Sequence, residues 1–149
     1  MKDRTRARGI ALQALYELDI TDHAIGTVLT ERMEDSGLDD DLVMFFRSIV
    51  LGVLPIRTEL DRFITDHAPD WPWDQVAVID RNILRMAVWE FAIADDIPLK
   101  VAINEAVELA KIYGSDSAPR FVNGVLGSLA DRQNEITQAL QQIQSTHSE

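Results

Sequence analysis

The chain has 149 residues, no cysteine, and 14 basic against 25 acidic side chains, for a formal net charge of −11. A domain of that length buries roughly 70% of its unfolded surface without staples, and the missing cysteines exclude disulfide frameworks and thiolate metal sites. No apolar run approaches the ~20 residues of a membrane span and no apolar signal region follows the N-terminus, so a soluble, cytoplasmic protein is expected.

The charge is unevenly placed. Residues 1–8 carry four basic side chains against Asp3, a balance of +3, while the remainder holds 10 basic and 24 acidic side chains, a balance of −14. An acidic body argues against sequence-independent nucleic-acid binding, because most of the surface repels phosphate. An anionic ligand has to be guided to the N-terminal end or to another local basic spot.

Residues 3–19 read as a first helix, with Ala11, Ala14, Leu15 and Leu18 as its buried stripe among good helix formers. Lys2, Arg4, Arg6 and Arg8 stand at its start. A helix N-terminus is partially positive, so cations there cost a few tenths of a kcal/mol each, and Asp3 relieves only part of that. Two readings stay open: a solvated charged end, or charges that await an anion. Residues 24–36 make a weaker helix, with Ile25, Val28, Leu29 and Met33 on one face and Gly37 as its stop.

Asp39, Asp40 and Asp41 precede LVMFFRSIVLGVL and complement a helix dipole; adjacent helical residues diverge, so the run reads as a cap and not a metal site. Leu42, Phe45, Phe46, Ile49, Val50 and Val53 form a stripe wide enough for a central helix covered on more than one side. Pro55 predicts a kink or short break near 54–55 before helix resumes through Leu60, Phe63 and Ile64. PDWPW at 69–73 is the clearest non-helical stretch. Trp71 and Trp73 have rings suited to base stacking, but they stand among Asp66, Asp70 and Asp74, so this loop is expected to pack on the helices.

A helix over 80–94 follows, with Ile83, Leu84, Ala87, Val88 and Phe91 inward, Asp80 at a capping position and Asp95 and Asp96 in the exit turn. The stretch 97–130 reads as two helices joined by a tight polar turn. Pro98 suits a first helical turn, and Ala102, Ala106, Leu109, Ala110 and Tyr113 form one stripe. Gly114 is expected to end that helix at positive φ, and Asp116 or Ser117 to cap the next, whose stripe is Phe121, Val122, Val125, Leu126 and Leu129. Asn104, beside the first stripe, is expected to be partly buried and hydrogen-bonded. Beyond Ala130 a polar, Gln-rich segment extends the last helix through Ile136, Leu140 and Ile143 before fraying. The domain is drawn as residues 1–134, with 135–149 a C-terminal extension, and Leu15, Phe46, Leu84, Leu109 and Val125 are expected to meet in its core.

Catalytic chemistry finds no foothold in this pattern. His23, His67 and His147 fall in unrelated segments without the i,i+4 partner of a helical zinc site, and no glycine-rich phosphate loop occurs. No catalytic residue, metal or cofactor is assigned.

KVAINEAVELAKIYG followed by RFVNGVL resembles the signature of the NusB family of bacterial transcription antitermination factors. DRNILRMAVWE and ARGIALQALYELD resemble that family's other helical blocks in the same order. The resemblance implies an all-α bundle of two packed helical subdomains with about seven helices, acting as a binding module and not a catalyst. It implies boxA-type single-stranded RNA bound together with NusE, a ribosomal small-subunit protein, in the transcription elongation complex, in support of processive transcription of ribosomal RNA operons. Carried over by position, the RNA contacts fall on Lys2, Arg4, Arg6 and Arg8, then on Ser117, Arg120 and Phe121. Arginine suits that task, since it pairs bidentately with phosphate and stacks on bases. The partner contacts fall on Tyr16 and Asp80, both expected to be exposed. Two features depart from the family's pattern: the arginines alternate with other residues, Asp3 among them, and the body is strongly acidic. The alternative reading is a helical protein–protein interaction module, or a homodimer that hides the first helix, without physiological RNA contact. A third is a non-catalytic relative of the NusB-like domain attached to some RNA methyltransferases.

Overall fold

Local chemistry accounts for most helix boundaries in the computed structural model, which describes residues 2–94 and 97–148, the last five by backbone alone. Helix α1 (Asp3–Ile20) ends where the Thr21 hydroxyl and N–H both donate to the Glu17 carbonyl, at 2.7 and 3.0 Å. Helix α2 (Ile25–Ser36) stops at Gly37, whose φ of 68° is the left-handed conformation that glycine adopts without penalty. Helix α3 (Asp40–Val53) is capped by Asp39, whose carboxylate accepts the Leu42 N–H at 3.0 Å. Pro55 removes a donor, and the chain passes through a short 3₁₀ turn, Leu54–Ile56, into α4 (Arg57–His67). The expected break is present, as two helices end to end.

Helix α5 (Val78–Trp89) begins two residues before its expected start and runs into a π-helical turn, Glu90–Ala94. Asp80 therefore sits inside the first turn and does not cap it. Asp95 and Asp96 lie outside the described residues. Helix α6 (Leu99–Tyr113) takes Pro98 as its cap, and α7 (Ala118–Ala130) carries Pro119 in its first turn. Helix α8 (Gln133–Ser148) follows a two-residue turn as a separate element, where the sequence suggested a continuation of α7. No strand occurs among the described residues.

The helices assemble as two groups that share α5. Helix α1 packs on α2 and α3; the α6–α7 hairpin packs on α5 and α4; contacts of α1 and α3 with α5 join the halves. Leu15, Phe46, Leu84, Leu109 and Val125 all lie in one buried cluster. Ile136 and Leu140 of α8 are fully buried, and that helix covers the π turn. The central position belongs to α5, not to α3. Every residue from Asn82 to Ala92 is buried, while α3 leaves Met44 and Leu51 70% and 44% exposed. The polar residues of α5 and its π turn hid this from a hydrophobicity pattern, because Asn82, Arg85 and Glu90 are buried by pairing.

Arg85 is the clearest case. Its Nε and Nη2 donate to the two oxygens of Asp61 on α4 at 2.6 and 2.9 Å. Its Nη1 donates to Asp19 on α1 at 2.9 Å and to Asn82 at 3.0 Å. Trp73 lies beneath the guanidinium at 5.6 Å, so this half of the PDWPW loop packs on the helices as expected.

Gly114 closes α6 with φ −91° and ψ −178°, an extended conformation and not the expected positive φ. Its glycine is required by proximity. A Cβ there would stand 2.5 Å from the Ala118 Cβ and 2.9 Å from the Ala110 carbonyl oxygen. Asn104 is exposed, contrary to expectation; the half-buried neighbour Glu105 is the residue that reaches inward.

Candidate nucleic-acid and partner interface

The four basic residues at the start of α1 do not form one set. Lys2, the cap residue, is exposed. The Arg4 guanidinium is exposed and stacks over the Phe45 ring at 4.5 Å. Arg6 is exposed and donates to the Ser36 carbonyl at 2.9 Å, at the negative end of the α2 dipole. Arg8 is 3% exposed: its Nε donates to Glu90 Oε1 at 2.8 Å, its Nη1 stands 3.5 Å from Glu105 Oε2, and Phe45 lies 5.0 Å away. The unfavourable placement of cations at a helix start is thus offset by tertiary partners of Arg4, Arg6 and Arg8 on three other parts of the bundle. Arg8 is enclosed by protein and has no face turned to solvent that would meet a phosphate.

The α6–α7 corner carries the second group. Ser117 and Arg120 are exposed, and the Ser117 hydroxyl is 3.4 Å from that of Ser115. Phe121 is half-buried and meets Trp71 edge to face, with centroids 5.7 Å apart and planes at 79°. These rings, with Pro72, Gln75, Asp80 and Ser117, line a cleft of about 360 Å³, within the roughly 300–1,000 Å³ typical of ligand sites. Trp71 is 38% exposed at its wall, so this half of the loop offers an aromatic face that sequence reasoning had assigned to packing.

Asp80 departs most from expectation. It is 8% exposed, its Oδ1 has no hydrogen-bond partner, and burial pushes its carboxyl above the ordinary range. The early start of α5 is the cause. Asp80 is turned towards the α6–α7 corner, where a Cβ on Gly114 would be 3.3 Å from its Oδ1. It lines one cleft with Ser117 and Phe121, residues expected to serve RNA, although the sequence had grouped it with Tyr16. Tyr16 is 36% exposed and Ile20, one helical turn on, is 53% exposed, so α1 presents an apolar pair outward. Ile20 was legible from its i,i+4 spacing. Glu90 and Glu105 were not, since they lie 82 and 97 positions from Arg8.

Beside Arg6, α1, α2 and the end of α6 enclose a polar groove of about 420 Å³, lined among others by Gln13, Arg32 and Tyr113. In its wall Glu17 is hydrogen-bonded by His23 and by Arg32, which together hold that carboxyl below the ordinary range. Among the described residues no group of three or more His, Cys, Asp or Glu could hold a metal ion, and no helix is long and apolar enough to cross a membrane.

The exposed arginines and the aromatic corner are the features that stand out on an otherwise acidic body. The model of the NusB family matches residues 5–131. The chain belongs to the NusB family. It is 48% identical to the transcription antitermination protein NusB of Roseiflexus sp. (strain RS-1) over 134 residues, 89% of this chain and 94% of that protein. It is 44% identical to the NusB of Bacillus subtilis (strain 168) over 129 residues, 87% of this chain and 95% of that protein. A solved structure of the antitermination factors NusB and NusE in complex with dsRNA superposes with a TM-score of 0.76 at 26% identity, covering 93% of this chain and 98% of that one. This makes the chain a transcription antitermination factor and not an enzyme. The NusB match ends at residue 131, so α8 lies beyond it.

Proposed function

We propose that this chain binds boxA-type single-stranded RNA together with the ribosomal protein NusE, joins the transcription elongation complex, and supports processive transcription of ribosomal RNA operons in the cytoplasm. The observation that carries the reading is the presentation of Arg4 and Arg6 as exposed guanidiniums, each braced by another element, on a protein whose remainder bears a charge of −14. Phosphate is met by Lys2, Arg4, Arg6 and Arg120. Phe121, with Ser117 beside it, supplies a stacking face. The protein partner is met by Tyr16 with Ile20, and by Asp80 through the mouth of the cleft. The relative solved with NusE and dsRNA supports both partner classes.

So few cations on so acidic a body give weak binding without the partner. Each phosphate contact to a single strand adds about −0.7 to the slope of log affinity against log salt, so three or four contacts give a slope of roughly −2 to −3. A salt titration of fluorescent boxA-like RNA, with and without the partner, tests this. Replacing Arg4 and Arg6 by Ala flattens the slope, whereas Phe121→Ala lowers affinity at every salt concentration by removing a stacking platform. Wild-type slopes in the double-Ala variant, with and without partner, would leave the arginines as a solvated helix end and favour the protein-only reading.

A further inference from the structure

We infer that Glu90 is a positioning residue for the RNA-binding arm: with Glu105 and Phe45 it holds Arg8 inside the bundle, so that Arg4 and Arg6 meet RNA on a helix end already fixed in place. This rests on the RNA reading above and changes the part that Arg8 plays in it.

The fastening is built from both sides of one helical turn. Arg8 and Glu90 have side chains 4% and 3% exposed and are joined at 2.8 Å. Thr5, three residues before Arg8 on the same face of α1, donates its hydroxyl to Glu105 Oε2 at 2.9 Å, and Arg8 Nη1 approaches that oxygen at 3.5 Å. One turn of α1 is thereby tied to the end of α5 and to the middle of α6. Phe45 links the hidden arginine to the exposed one, with Arg8 at 5.0 Å and Arg4 at 4.5 Å from its ring. Glu90 opens the π turn, and α8 packs against that turn. The arrangement carries a cost at Glu90, whose Oε2 is buried without a partner. By charge alone a carboxylate behind the arm opposes a polyanion. Its benefit to RNA binding therefore comes through geometry, because a helix end ordered beforehand loses less freedom when RNA arrives.

Charge and geometry predict opposite signs for one substitution. Glu90→Gln removes a negative charge and loosens Arg8. If Arg8 served phosphate, the variant would bind RNA more tightly. If Glu90 positions the arm, the variant binds about three- to tenfold more weakly at unchanged salt slope, and the amides of residues 4–9 exchange hydrogen faster. The measurement uses the full chain, fluorescence anisotropy with single-stranded boxA-like RNA at several salt concentrations with and without the ribosomal partner, and hydrogen exchange by mass spectrometry. Thr5→Val changes no charge and serves if Glu90→Gln does not fold; it is expected to bind about twofold more weakly with the same exchange signature. Tighter or unchanged binding in the variant that folds overturns the inference. Failure of the underlying RNA reading looks different: wild-type protein would bind no RNA with or without the partner, and the inference would fall with it.

Discussion

Arg85 and Arg8 are both buried, and each faces two carboxylates. Around Arg85 every nitrogen of the guanidinium donates, and Asp19 and Asp61 keep 19% and 24% of their side chains exposed to water. Around Arg8 only Nε makes a short bond, the second carboxylate stands at 3.5 Å, and Glu90 is shut away with one oxygen unpaired. The first cluster is saturated and joins α1, α4 and α5 within the core. The second is unsaturated and sits behind the exposed Arg4 and Arg6, which are proposed to meet RNA. The two arginines are equally buried, so the number of satisfied groups and the water left to their carboxylates separate a lock from an adjustable support.

Breaking the lock has the largest expected effect. Arg85→Ala removes the shared cation of Asp19 and Asp61 and should cost about 3–5 kcal/mol in chemical denaturation. Glu90→Gln should cost about 1 kcal/mol or less near neutral pH, because Glu105 still faces Arg8 and no buried cation is left alone. Its dependence on pH sharpens the contrast. Burial pushes the Glu90 carboxyl above its usual range against the pull of Arg8, so the folded state holds that proton more tightly than the unfolded chain does. The stability from this group is fully present below the ordinary glutamate value of about 4.3 and is lost as pH rises through the folded-state value. The melting temperature of Glu90→Gln relative to wild type should therefore rise as pH goes from about 4 to 8; a flat difference would mean Glu90 titrates normally. The smallest effect belongs to the exposed pairs. Lys111→Ala or Arg132→Ala removes a contact between side chains more than half exposed and should change stability by less than about 0.5 kcal/mol.

Features set by neighbours in the chain were legible from sequence. Gly37 as a stop, Asp39 as a cap, Pro55 as a break and the apolar stripes of α6 and α7 depend on residues within a few positions, and each is found. Features set by distant neighbours were not. The central place of α5 rests on Asp19 and Asp61 arriving to pair Arg85, which no hydrophobic period records. The π turn at Glu90 has no residue signature, and Gly114 is needed for the approach of Ala118 and not for its dihedral angles. At the site, the basic residues at the start of α1 and Phe121 were picked out through family blocks, whereas the exposed face of Trp71 beside Phe121 was not. The burial of Arg8 and Asp80 was not, because alternate residues at a helix start look equivalent until a partner 80 or more positions away, or the exact first turn of α5, divides them.

The contacts that seat the arm also set a timetable. Thr5 reaches Glu105, Gln13 reaches Tyr113 and Arg8 reaches Glu90, so the first helix depends on partners 82 to 100 positions downstream. At synthesis rates of about 5–20 residues per second, several seconds to roughly 20 separate the appearance of Thr5, Arg8 and Gln13 from the appearance of these partners. Throughout that interval Arg8 lacks both of its carboxylate partners, beside a ribosome made largely of RNA. The first helix therefore completes its tertiary fastening only after residues 90–113 have been made and folded against it.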